Sequence, residues 1–175
     1  MRIILGVLGS MMLTSCASVA PAPRFLAEPT VAFNPDDVAW AAKSGENTIS
    51  GNALMRTVGG DAKTCAGLPV ELIPEAPYAR ERITIIFGNL NEGYFPTSYL
   101  TAPNPDPEYY RTVRRTVCDA QGNFLFEGIP SGSYYLTASV VWQIPMQYAA
   151  MVQGGQLMQR VSVTGGETKR VVLTK

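Results

Sequence analysis

The chain offers little for acid–base or nucleophilic work at neutral pH. It contains no histidine among 175 residues, so neither an ordinary catalytic triad nor an imidazole base can be assembled. No G-x-S-x-G, phosphate-cradling glycine loop or paired metal motif occurs, and the expectation is a protein that binds or spaces and is not an enzyme. Asn104, Asp106 and Glu108 have the alternation of calcium ligands, but the interleaved prolines favour a solvated loop, and no metal is expected. What remains is three cysteines, Cys16, Cys65 and Cys118, and a concentration of tyrosine and arginine between residues 78 and 115. Tyr78, Arg80, Arg82, Tyr94, Phe95, Tyr99, Tyr109, Tyr110, Arg111, Arg114 and Arg115 combine flat apolar area with directed donors, the chemistry of a contact surface. The plainer reading is that the tyrosines pin their segment onto the domain while the arginines are solvated or paired.

Cys16 stands at the end of an export-like leader. Arg2 precedes an apolar run from Ile3 to Leu13, interrupted only by glycines and Ser10. The run is too short for a hydrocarbon core, which needs about 20 apolar residues, and reads as the n- and h-regions of a signal peptide over residues 1–15. Leu13-Thr14-Ser15-Cys16 resembles the lipobox of bacterial lipoproteins. That resemblance implies a diacylglycerol thioether and an N-acyl chain, such as palmitate, on Cys16, with no other cofactor. Such acyl chains anchor durably because each buried methylene contributes about 0.8 kcal/mol. Ala17, where an aspartate resembles an inner-membrane retention signal, points to the outer membrane of a Gram-negative envelope, facing the periplasm.

With Cys16 acylated, Cys65 and Cys118 are an even pair in an oxidising compartment and read as a disulfide. It would close a loop of about fifty residues, contributing about 4 kcal/mol in the chain-entropy account. Two buried free thiols or half a metal site are the alternatives; without histidine, two cysteines do not complete a tetrahedral shell.

Composition allows one core. Charge is balanced at 14 basic and 14 acidic residues, and loss of Arg2 leaves a net −1, against the strong basic excess of a general nucleic-acid binder. Residues 16–34, with Pro21, Pro23 and Pro29, read as an extended tether, and residues 35–175 as the domain. Asn34-Pro35-Asp36-Asp37 predicts a short helix through Ala42, ended by Gly45, with Trp40 packing on the domain. Beyond it, short apolar runs between glycines predict strands at 48–57, 69–73, 111–118, 123–127, 133–142, 157–163 and 169–173. Tyr134, Leu136, Ala138, Val140 and Trp142 alternate onto one face. Asp119 to Gly122 reads as a turn, and Gly165-Gly166 as a hairpin turn between the last two strands. Residues 76–110 form a long insertion in which Tyr78 to Phe87 fits a helix or an irregular strand and Asn89 to Glu108 reads as loop.

The run Asp119-Ala120-Gln121-Gly122-Asn123-Phe124-Leu125-Phe126, followed by Pro130-Ser131-Gly132-Ser133-Tyr134-Tyr135-Leu136, resembles the signature of carboxypeptidase regulatory-like domains. Ile49-Ser50-Gly51 and Gly67 to Pro74 resemble that family's first strands, and Val161 to Leu173 its closing hairpin. The resemblance implies an all-β, immunoglobulin-like or prealbumin-like antiparallel sandwich of about seven strands, here with a short N-terminal helix and a long loop insertion. Some Cna-B-like relatives carry an internal isopeptide bond. None of Lys43, Lys63, Lys169 and Lys175 lies in the first-strand run, so none is expected here. Two functions stay open: a structural or protein-interaction module at the envelope, and a carbohydrate-binding domain using the aromatic insertion. A row of exposed tyrosine rings would favour the second; a flat apolar patch would favour the first.

Overall fold

The computed structural model describes residues 24–97, 100–147 and 150–175; the leader, Cys16 and Tyr99 lie outside them. Its elements in chain order are β1 (Arg24–Phe25), a 3-10 helix (Pro35–Ala42), β2 (Asn47–Arg56), β3 (Ala62–Thr64), β4 (Pro69–Pro74), α1 (Pro77–Phe87), β5 (Glu92–Pro96) and β6 (Leu100–Thr101). There follow α2 (Pro107–Thr112), β7 (Arg114–Val117), β8 (Asn123–Ile129), β9 (Gly132–Pro145), β10 (Ala150–Val163) and β11 (Thr168–Leu173).

The protein is an all-β sandwich. One sheet runs β5-β10-β9-β4-β7, antiparallel throughout. In the other, β2 is flanked by β11 on one side and by β8 and β3 as its antiparallel partners. Period-two burial along β2 and β8 puts Ile49, Ala53, Phe124 and Phe126 into the space between the sheets, where they meet Leu136, Ala138, Val140 and Leu157. Full burial of each phenylalanine is worth about 2–3 kcal/mol. Cys65 and Cys118 form a disulfide there, with Cα atoms 5.8 Å apart.

Several expectations are corrected. Gly165-Gly166 does not close a hairpin: β11 leaves the sheet of β10 and pairs in parallel with β2. Asn47, buried to 1 %, holds this crossing: its Oδ1 accepts from the N–H groups of Gly166 and Glu167 at 2.9 and 3.0 Å, and its Nδ2 donates to Ile129 O at 2.8 Å. Gly45 does not end the 3-10 helix, whose C-cap is Lys43; a Cβ on Gly45 would fall 2.1 Å from Ile129 O, so the residue permits close backbone approach. Asn34 does cap the helix through Asp36 N, and Trp40 packs edge-on against Tyr134 at 5.2 Å.

The insertion is mostly ordered structure and not loop. Helix α1 starts at Pro77 and ends at Gly88 in the left-handed conformation (φ 70°), and α2 is capped by Asp106, whose carboxylate accepts from the N–H groups of Glu108 and Tyr109. The reason lies in the five-stranded sheet. Ile73, Tyr135 and Met158 point away from the sandwich core and would be wet without cover; Tyr78, Ala79, Ile83, Tyr109 and Val113 bury them in a second core. The stretch 111–118 accordingly divides, with Arg111 in α2 and only 114–117 in a strand.

Candidate binding cleft

The structure scatters the tyrosine and arginine set. Tyr78 and Tyr109 are buried, packed edge-to-face at 4.8 Å with Phe33 completing the cluster. The Tyr78 hydroxyl accepts from Asp106 N at 2.9 Å, and burial pushes the Tyr109 phenol far above its ordinary value. Arg80 pairs with Glu75, which also takes Arg160 Nε at 2.7 Å. Arg82 donates to Pro103 O. Arg114 donates to Glu127 O and Gly128 O at 2.7 and 3.1 Å, blunting the open edge of β8. Arg115 stacks 3.6 Å over the exposed Tyr110 ring while bonding Glu71. Arg111 borders a shallow groove against the 3-10 helix. Of these residues, Tyr78 and Tyr109 fasten the insertion to the sheet, and Arg80, Arg82, Arg114 and Arg115 pair with acids or cap backbone carbonyls. No row of tyrosine rings is exposed among the described residues of the insertion.

Tyr94 is the exception. It stands on β5 in a cleft of about 740 Å³ at the end of the sandwich where the two sheets part. Strand ends and turns from both sheets build its walls: Met55 and Arg56 of β2, the turn Thr57 to Gly59, Lys63 of β3, Trp142 and Ile144 of β9, and Met151 to Gly154 of β10. The size is that of a small-molecule or oligomer site, concave and largely apolar with a few polar groups.

Two adjacent glycines explain the floor. A Cβ on Gly154 would come within 2.9 Å of the Trp142 ring and one on Gly155 within 2.7 Å of the Tyr94 ring, so both aromatics lie directly on bare β10 backbone. Gly154 adopts φ +96°, which turns its carbonyl to accept from Tyr94 Oη at 2.9 Å, Thr97 N at 3.1 Å and Thr97 Oγ1 at 3.1 Å. Burial raises the Tyr94 phenol pKa, so the hydroxyl stays a neutral donor. Above the ring, Lys175 Nζ sits 3.9 Å from the centroid. Arg56, Lys63 and Lys175 outnumber Asp61 on the rim, Lys63 and Asp61 being 4.0 Å apart. The cleft thus offers two oriented rings, directed donors and a cationic margin. Sequence reasoning counted Trp142 as one more core position on its face; the local signal for the cleft was the Gly154-Gly155 pair inside a strand.

An all-β sandwich with a ligand-sized opening between its sheet ends is the class of protein that this geometry defines. No family model and no curated protein matches the chain. Among solved structures it is similar to a protein from Pseudomonas aeruginosa described as a "putative carbohydrate binding protein", with a TM-score of 0.68 and 26% identity over 82% of this chain and 97% of that one.

Proposed function

We propose that this chain is a non-catalytic glycan-binding module carried to the cell envelope as a lipoprotein, acylated at Cys16 and held at the periplasmic face of the outer membrane. The observation that carries the glycan reading is the pair of rings, Trp142 and Tyr94, laid on Gly154-Gly155 in the floor of the cleft. A pyranose presents C–H faces to such rings and hydroxyls to the surrounding donors, matching the negative face of an aromatic quadrupole and the polar margin. The similar Pseudomonas fold, described in terms of carbohydrate, supports the same choice. The expected site therefore moves from the insertion as a whole to Tyr94 and the strand ends beside it.

The test is a glycan array followed by titration calorimetry with the best oligosaccharide. Truncating a buried aromatic anchor costs about 2 kcal/mol or more, so Trp142→Ala should weaken binding by about thirtyfold, while Tyr110→Ala, outside the cleft, leaves it unchanged. Equal affinity for both variants would remove the cleft from the reading. For the anchor, Cys16→Ser should release the protein from membranes, and full retention would contradict acylation.

A structural or protein-interaction module is the second reading. It draws on Leu125 and Val172, both exposed and both on the solvent face of the second sheet beside Ser50 and Asn52. Crosslinking in intact envelopes separates the two: partner proteins captured through Leu125 or Val172 favour this reading over the glycan.

A further inference from the structure

The hairpin of β9 and β10 outruns its neighbours. Each strand has 14 residues, whereas β4 pairs with β9 only as far as Ala138 and β5 with β10 only from Gly155. The distal ribbon, residues 141–145 and 150–154, therefore projects beyond the five-stranded sheet. It carries Met151 (44 % exposed) and Val152 (48 %), Met146 (55 %) follows directly on β9, and across the cleft the turn after β2 presents Val58, fully exposed. An apolar cluster raised to solvent on one end of a domain is a contact awaiting a partner.

The identity of that partner follows from two further observations. Arg56, Lys63 and Lys175 rim the same end with Asp61, 4.0 Å from Lys63, as the one acid among the cleft residues, which leaves a cationic excess that an anionic bilayer attracts. The chain also enters the domain there. Arg24 and Phe25 pair with Leu100 and Thr101, and Leu100 follows cleft residue Thr97 by three residues, at most about 11 Å between Cα atoms. Cys16 precedes Arg24 by eight residues, a reach of at most about 29 Å, so an acyl group there and the apolar tip can meet one surface together.

We propose that this end of the sandwich is a membrane-docking face, in which Val58, Met146, Met151 and Val152 enter the headgroup region of an anionic leaflet and Arg56, Lys63 and Lys175 pair with lipid phosphates. The acyl chains on Cys16 hold the protein to the bilayer but leave its orientation open across the intervening chain, and a protein face that meets the headgroups fixes that orientation. This goes beyond the glycan reading and rests on the acylation of Cys16; because Arg56, Val58, Lys63, Met151, Val152 and Lys175 also wall the ring-lined cleft, docking and glycan binding would compete for this end.

The two tryptophans of the chain supply the test. Trp40 packs where Gly132 begins β9, and Trp142 lies ten residues further along the same strand, about 33 Å away at strand rise. Full-length protein recovered from membranes is reconstituted into phosphatidylethanolamine–phosphatidylglycerol vesicles carrying a headgroup nitroxide, as the Trp40→Phe and Trp142→Phe variants. The expected result is quenching of Trp142 and none of Trp40. Adding Val58→Asp and Met151→Asp, both solvent-exposed and so compatible with folding, should abolish the Trp142 quenching while leaving Trp40 emission unchanged. Replacing phosphatidylglycerol by phosphatidylcholine should reduce it. Equal quenching of both tryptophans, quenching of Trp40 alone, indifference to the aspartates, or shielding of Trp142 by dimerisation without lipid would each overturn the proposal.

Discussion

Lys175 holds its ammonium 3.9 Å above the Tyr94 ring and so occupies the face that a sugar would stack upon. Such a contact at an exposed site is worth about 0.5–1 kcal/mol. A neutral ligand that stacks on Tyr94 has to displace it, so Lys175→Ala should tighten neutral oligosaccharides by about two- to fivefold. Calorimetry on the variant checks this. A loss of affinity would mean instead that the ammonium binds the ligand directly.

Gly155 tests the floor from below. A Cβ there would fall 2.2 Å from Phe95 O, in the backbone of β5, and 2.7 Å from the Tyr94 ring. Because the nearest atom is backbone, the clash cannot be relieved by a rotamer change, and the cost of overpacking is about 1–3 kcal/mol. Gly155→Ala should lower Tm by about 3–10 °C and weaken ligand binding by displacing Tyr94. An unchanged melting curve would show that β5 and β10 are less tightly apposed than their register implies.

How much of this was legible depends on whether a residue's environment is local. The strands with one face in the sandwich core were readable, because period-two burial in Ile49, Gly51 and Ala53 or in Phe124 and Phe126 is written along a single segment. In β9, however, Tyr134 through Ala138 are all buried, the even residues in the main core and Tyr135 beneath the helices. That second face is invisible until α1 is placed on it, which is why Tyr78 and Tyr109 could pass for a contact surface. The parallel pairing of β11 with β2 depends on a buried asparagine 119 residues away from the glycine that it binds. The cleft is assembled from strand ends far apart in sequence, and of the tyrosine and arginine set only Tyr94 lines it.

Glu75 makes the acid limb of stability predictable. Burial alone would raise its carboxyl, but hydrogen bonds from Arg160 and Arg80, followed by their charges, outweigh burial and hold it below the ordinary 4.5. A carboxylate with a lowered folded pKa contributes stability that is fully present above its unfolded value and disappears as pH falls through the folded value. Urea midpoints should therefore decline as pH drops below about 4.5, and Glu75→Gln should lower the midpoint at neutral pH while flattening that decline. A variant as acid-sensitive as the wild type would place the dominant titration elsewhere, at Glu81, held low chiefly by the hydrogen bond from Val31 N, or at Asp119, held low chiefly by its hydrogen bonds from Asn123.

The disulfide should act mainly on the unfolded chain. Its two ends are already neighbours in the folded protein: Pro69 pairs with Val117, Cys118 N donates to Leu68 O at 3.0 Å, and Gly67 N donates to Cys118 O at 3.1 Å. With a sequence separation of 53, the bond restricts the denatured ensemble by about 4 kcal/mol in the loop-entropy account. Cys65→Ala with Cys118→Ala should therefore keep the β-rich circular dichroism spectrum and lower the urea midpoint. The double variant isolates the crosslink better than either single one, which leaves a buried thiol beside a void. Non-reduced protein that takes up alkylating reagent at both positions would show that the bond is not made, and the loss of stability would then have to come from packing alone.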